Sequence, residues 1–344
     1  MTDWHPTASL DILKLRARML AHIREFFARR GVLEVETPCL SAAATPDPVL
    51  LSFATHYTGP GAPHGQALYL HTSPEFAMKR LLAAGLGSIY QICKVFRDGE
   101  SGRLHNPEFT LLEWYRVGFD HHRLMDELAE LVGEALGDLL SALPVEKLSY
   151  RDAFLHHCRL DPHTATVDEF AAHARELDIH APATLGADDP DGWRHLLLSH
   201  AIEPHLGQGR LTFLYDYPAS QAALARLRPG NPPLAERFEL YLNGVELANG
   251  FHELGDVDEQ RRRFEQDLKR REAMGLPPVP VDQRLLAAMG RDARVLQKTG
   301  CREQPLTQGL PDCAGVALGL DRLVMVAAGK HSLGEVLAFP FDRA

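Results

Sequence analysis

The chain has 344 residues, 45% hydrophobic and 24% charged, with a net charge of −10 at pH 7. That suffices for one large domain or two ordinary ones, and the acidic balance weighs against a protein that grips nucleic acid through a basic footprint. No apolar run reaches membrane-spanning length, no signal-peptide pattern opens the chain, and five scattered cysteines (Cys39, Cys93, Cys158, Cys301, Cys313) fit reduced thiols and a cytoplasmic location.

Asp11 to Arg30 reads as an amphipathic helix, with Leu15, Met19, Ile23 and Phe26 at helical spacing and Gly31 as its stop. Val32 to Thr37 reads as a strand closed by Pro38, and Leu68 to His71 as a short strand. Thr72-Ser73-Pro74-Glu75 carries a hydroxyl cap, a first-turn proline and an early glutamate, so it opens a helix running to about Ala84. Backbone N–H groups at such a helix start suit a carboxylate.

Ile89 to Phe96 and Phe109 to Val117 are rich in β-branched and aromatic residues and read as two strands of an antiparallel hairpin. The polar loop between them holds Gly99, Gly102, Asn106 and Pro107, together with Arg97, Arg103 and His105. Arg97, a rigid and permanently charged fork at the loop's edge, is suited to an anionic group such as phosphate. Period-2 alternation sets Glu113 and Tyr115 side by side on a partly apolar face, where a carboxylate and a phenol can bind a cationic amine. A solvated hairpin with a surface ion pair is the alternative, and the motif alone does not separate the two.

Asp120 to Leu140 reads as a helix, and about 143–207 as a mixed helical insertion of looser composition. His156, His157 and Cys158 have no second ligand cluster beside them, so a helix surface or core role is expected there rather than metal. Leu211 to Tyr215 is a further strand. Asn243-Gly244, between the apolar runs Phe238 to Leu242 and Val245 to Ala248, predicts a tight type I′ hairpin. A second Asn-Gly, at 249 and 250, reads as a bend bracketed by Glu246 and Glu253. Two carboxylates there can hold Mg²⁺, which takes oxygen ligands and shares them with phosphate; a carboxylate pair without metal is the commoner outcome. Asp258 to Gly275 is a charged helix whose basic clusters are interleaved with acids. About 291–308 is polar and irregular, and Cys313 to Arg322 runs from a glycine-containing strand into an apolar helix with Arg322 at its start. P-loop and Rossmann fingerprints are absent.

Phe96-Arg97, followed by Arg-Leu-His-Asn-Pro-Glu-Phe-Thr-Leu-Leu-Glu-Trp-Tyr, resembles motif 2 of the class II lysyl-tRNA synthetases, and still more their short paralogues, the elongation factor P–lysine ligases. Glu-Leu-Ala-Asn-Gly-Phe-His-Glu-Leu from Glu246 resembles the same family, Cys313 to Arg322 resembles its motif 3, and the first helix, strand and proline its dimer-forming motif 1. The resemblance implies an α+β fold, an antiparallel sheet flanked by helices, in one catalytic domain over 1–344 that forms a homodimer. The chain starts directly with the motif 1 helix, which implies no anticodon-binding barrel and, with the acidic charge, makes tRNA an unlikely partner.

The implied reaction is activation of lysine or β-lysine by ATP as the aminoacyl-adenylate, then transfer to a lysine ε-amine of elongation factor P. The implied catalytic residues are Arg97, toward the α-phosphate, and Arg322. ATP is further assigned to Asp98, Gly99, Asn106, Glu246, Leu247 and Gly319, and Mg²⁺ to Glu246 and Glu253. The amino-acid pocket is assigned to Ser73, Pro74, Glu75, Glu113, Tyr115, Glu253 and Ala317. Two departures stand out: the motif 2 Arg-x-Glu is Arg97-Asp98-Gly99 here, with the acid displaced to Glu100, and Ala317 replaces a glycine, reshaping the pocket wall. A ligase acting on tRNA or a free amine, and a non-catalytic amino-acid-binding paralogue, are the alternatives.

Overall fold

The structure, a computed structural model, describes residues 4–62, 64–137, 143–290 and 309–344. The irregular loop expected at about 291–308, and the end of the helix expected to reach Leu140, lie outside the described residues. The chain divides into two compact units, Met1–Gly118 with Leu254–Cys313 and Ala317–Ala344, and Phe119–Glu253 with Ala314–Val316.

The first unit opens with α1 (Leu10–Arg29), capped by Ser9, whose Oγ accepts from the Ile12 N–H. Its inner stripe buries Met19, Ile23, Phe26 and Phe27. β1 (Leu33–Glu34) is shorter than the sequence suggests. Only Leu33 and Glu34 find ladder partners, in Ile89 and Tyr90, and Pro38 has no N–H to extend the pairing. β2 (Leu40–Ser41), β3 (Ala54–Tyr57) and β4 (Gln66–Leu70) make a small antiparallel sheet with β4 in the middle, followed by α2 (Glu75–Ala83). β5 (Ile89–Phe96) and β6 (Glu108–Val117) pair antiparallel from Ile89↔Tyr115 to Phe96↔Glu108. Phe27 locks α1 onto this hairpin, stacked on Tyr90 at 4.3 Å and edge-on to Trp114 at 5.4 Å.

The second unit starts with α3 (His121–Leu136) and β7 (Val145–Ser149). α4 (Tyr150–Cys158), α5 (Val167–Glu176) and α6 (Pro190–Leu197) lead through a π-helical turn to β8 (Leu211–Pro218). The stretch expected to be helical over 143–207 therefore opens with a strand. β7 runs parallel to β8, and the intervening helices supply the long crossover a parallel pair needs. β9 (Leu227–Arg228), β10 (Leu234–Leu242) and β11 (Val245–His252) complete the sheet, with β10 between β8 and β11. Tyr150, Phe154, Phe170, Leu197, Tyr217 and Tyr241 anchor this unit's core, which also takes in Cys158.

The chain returns to the first unit through α7 (Val257–Ala273) and α8 (Gln283–Met289). β12 (Cys313–Gly319) gives its middle to the second unit and its ends to the first, and α9 (Leu320–Ala327) follows. The fold is α+β, with mixed rather than wholly antiparallel strand pairing, since β1–β5 and β7–β8 are parallel. Among the described residues no helix is long and apolar enough to cross a membrane.

Candidate functional site

In the first unit Glu113 and Tyr115 stand as the alternation predicts, joined by a hydrogen bond of 2.7 Å from the Tyr115 hydroxyl to Glu113 Oε1. The Ser73 hydroxyl donates to Glu113 Oε2 at 2.7 Å and accepts the Glu75 N–H at 3.0 Å, so one side chain both starts α2 and grips the carboxylate. Pro74 occupies the cap position itself and carries no side-chain bond, which moves the capping role to Ser73. Met78, Leu82, Ile89 and Cys313 pack around Tyr115. Glu113 is buried; burial and the neighbouring charge of Glu75 push its carboxyl up to about 7.

Lys79, which the sequence did not single out, decides the charge balance. Its ammonium lies buried one turn along α2 and donates to Glu75 Oε1 at 2.6 Å. Glu75 thus has an internal counter-ion, whose charge also bears on Glu113, while the hydrogen bonds to Glu113 among the described residues come from neutral hydroxyls. A buried carboxylate with only hydroxyl donors favours a cation from outside.

Both motif arginines lie in this unit, and the charge of each bears on His105. Arg97 lies over the Phe109 ring at 5.0 Å, donates from Nε to Thr72 O at 3.4 Å, and stands 3.6 Å from Glu100, the displaced acid. Arg322, in the first turn of α9, donates from Nε to Leu104 O at 3.2 Å and from Nη2 to His105 Nε2 at 2.9 Å. Burial, then Arg322 and also Arg97, hold His105 below the ordinary imidazole range, with Glu100 opposing them. In the sequence His105 is only a loop residue, and no local spacing links it to Arg322.

The loop is held from several sides. Asp98 bridges Leu51, and Gly99 turns with φ +80°. Asn106 uses both ends of its amide, donating to Glu108 O and accepting the Phe341 N–H, so it clamps the loop to the C-terminal segment. Behind the loop, buried Asp321 accepts the Thr110 N–H at 2.7 Å and pairs with Arg16, whose Nη2 reaches Thr110 Oγ1 at 2.8 Å. This ties α9 and α1 to β6. Gly319 is the cap residue of α9, and Ala317 lies half-buried in β12.

In the second unit, Asn243 (φ 52°) and Gly244 (φ 71°) form the expected two-residue turn of a type I′ hairpin. Asn249-Gly250 is not a bend: β11 runs straight through it to His252. Gly250 is needed there because a Cβ would lie 2.4 Å from Cζ of the buried Phe238 ring on β10. The hairpin register shifts after Leu240↔Ala248 to Tyr241↔Glu246, leaving buried Leu247 as an extra residue. Glu246 therefore joins the face of Arg237, Glu239 and Tyr241, and its charge bears on both Arg237 and Tyr241.

Arg237 was not foreseen. It pairs with Glu239 at 2.5 Å and lies over Tyr217 at 4.5 Å, while Tyr217 and Tyr241 each donate to Glu239 at 2.6 Å. Asn249, opposite Glu239 on this face, has a buried Oδ1 with no hydrogen-bond partner. Glu253, buried just beyond β11, bridges Ala225. Carboxylate and amide oxygens are the hard donors that Mg²⁺ takes, so Glu246 and Asn249 on β11, with Glu253 just beyond it, offer donors that fit that ion.

A family model described as tRNA synthetases class II (D, K and N) matches residues 2–343. The chain is 50% identical over 341 residues to a Salmonella typhi protein named elongation factor P–(R)-beta-lysine ligase, covering 99% of this chain and 98% of that one. A Klebsiella pneumoniae subsp. pneumoniae protein of the same name is 49% identical over the same shares.

Proposed function

We propose, from the premise that this chain belongs to the class II tRNA synthetase family of the D, K and N type, that it activates lysine or (R)-β-lysine with ATP and transfers the acyl group to a lysine ε-amine of elongation factor P. The observation that carries the reading is Glu113: a buried carboxylate held by two hydroxyls, in the same compact unit as Arg97 and Arg322, whose charges both bear on His105. The first accepts an ammonium group and the second an anion.

Glu113, oriented by Ser73 and Tyr115, holds the side-chain ammonium of the amino acid. Pro74, Glu75 and Ala317, of the same unit, complete the pocket. Arg97 takes the α-phosphate and offsets the charge that builds on it as the carboxylate attacks, and Arg322 holds the nucleotide from the other side. Asp98 and Gly99 shape the loop over ATP, Asn106 fixes it, and Gly319 admits the nucleotide to the start of α9. Glu246, beside Leu247, holds Mg²⁺ together with Glu253. When bound, that ion neutralises phosphate charge.

The whole chain acts as one catalytic domain with about 143–207 inserted. It works in the cytoplasm as a homodimer, a reading supported by Leu33 and Leu40, exposed at 53% and 46% in the strands after α1, and by the thiols of Cys39, Cys93, Cys158 and Cys313, none of them in a disulfide. The test is transfer of labelled lysine and (R)-β-lysine, with ATP and Mg²⁺, to elongation factor P or to tRNA. Labelling of elongation factor P is expected; labelling of tRNA alone would overturn the reading.

A further inference from the structure

We propose that His121, Glu236 and His252 form a zinc site on the face of the β10–β11 hairpin opposite Glu246, with Asp216 as the carboxylate behind His121. Each of the three offers a ligand atom, and these atoms lie within 4.8 Å of one another. His252 Nδ1 is 2.6 Å from Glu236 Oε2. The register that pairs Arg237 with Phe251 sets Glu236 and His252 opposite each other one step further along. They share the side of Phe238 and Gly250, away from Arg237, Glu239 and Glu246. α3 packs over this side of the hairpin, and His121 is its first residue.

The second observation is unmet bonding. His121 is 2% exposed, yet both its ring nitrogens are buried without a hydrogen-bond partner. Asp216 Oδ1 is buried and equally unpartnered, 3.9 Å from His121 Nε2. Buried polar groups are almost always satisfied, so a group of this kind asks for a missing partner. Asp216 holds its carboxylate there at a cost: its backbone has φ +61°, and Arg228 grips Oδ2 at 2.5 Å.

Two imidazoles and one carboxylate form the His₂Glu donor set that zinc accepts with a fourth position open. Imidazole ligands also separate this site from one for Mg²⁺. In a zinc tetrahedron donor atoms stand roughly 3.3 Å apart, so His252 and Glu236, at 2.6 Å, part slightly to admit the ion while His121 closes on them. A carboxylate behind a metal-bound histidine fixes the ring and raises its basicity, which is the place Asp216 occupies. The ion clamps the start of α3 to the hairpin whose other face carries Glu246.

The test uses full-length protein stripped with EDTA and titrated with Zn²⁺, and separately with Co²⁺ as a spectroscopic probe. One tightly held equivalent of zinc, a rise in Tm on zinc addition and a cobalt spectrum of a tetrahedral nitrogen–oxygen site are expected. His121→Ala should lose the tight site, and its Tm should no longer respond to EDTA. Should that variant fail to fold, Asp216→Asn decides, because asparagine tolerates the left-handed backbone; a drop of about 10- to 100-fold in zinc affinity is expected. Absence of tight zinc in the unsubstituted protein, or full retention of it in His121→Ala or Asp216→Asn, would overturn the proposal by assigning any metal to surface histidines.

Discussion

Arg322 donates to Nε2 of His105 at 2.9 Å, which fixes the imidazole with its proton on Nδ1 and its lone pair toward the guanidinium. A motif 3 arginine is thereby aimed by a motif 2 loop residue. The contact requires a neutral ring, and burial with the nearby arginines keeps the ring neutral.

Replacing His105 with leucine removes the acceptor, while glutamine keeps one. The leucine variant is expected to raise the KM for ATP about tenfold, in keeping with one lost hydrogen bond to a charged group. The glutamine variant should stay near the parent. ATP–pyrophosphate exchange measures both, and an unchanged KM in the leucine variant would show that Arg322 is aimed by other contacts.

Glu113 gives a signed pH dependence. Its carboxyl is pushed up to about 7 in the folded chain against an ordinary 4.5, so the folded state holds more protons between those values. Its contribution to stability is complete below about 4.5 and is lost as pH rises through about 7. Glu113→Gln should flatten that decline in chemical denaturation curves. In the parent, an ammonium ligand favours the carboxylate, so lysine binding should expel a proton near pH 6 and weaken as the pH falls. Calorimetry in buffers of different ionisation enthalpy reads the proton, and Glu113→Gln should bind lysine roughly 10- to 100-fold more weakly.

Asp321 joins three elements through the Thr110 N–H and the Arg16 guanidinium. Asp321→Ala leaves both donors without their acceptor and is expected to destabilise the chain by on the order of 3 kcal/mol. Asp321→Asn, which still accepts the Thr110 N–H, should lose less. Urea midpoints at neutral pH decide, and equal losses would mean that the backbone contact contributes little.

Gly250→Ala would place a methyl 2.4 Å from the Phe238 ring, which is wholly buried. A loss of about 1–3 kcal/mol is expected, typical of overpacking. Adding Phe238→Leu should restore part of it in a double-mutant cycle; additive losses would place the strain elsewhere.

The hairpin around Arg97 was legible because its strands declare themselves locally: Ile89 to Phe96 form one strand end to end, and alternation alone set Glu113 beside Tyr115. Asn243-Gly244 was legible for a similar reason, as two residues with positive φ need that pair. Asn249-Gly250 carried the same letters and misled, since its glycine answers to the ring of Phe238 and not to a turn. β7 was hidden because Val145 to Ser149 is stabilised by β8, far along the chain. Lys79, Arg237 and His121 escaped notice because a charge or an imidazole looks solvated in a sequence until the fold buries it.

The extra residue in β11 has a consequence for how this hairpin tolerates change. Strand side chains obey a parity rule, and Leu247 breaks it once, so the residues from Glu246 back toward the turn are counted in a different frame from those from Ala248 onward. Deleting Leu247 would remove the residue that the register skips and leave Glu246 opposite Tyr241, still on the side of Arg237. The acid's sidedness therefore survives a regular ladder; what the extra residue changes is the strand's own count, so that Glu246 and Ala248, two apart, face opposite sides of the sheet.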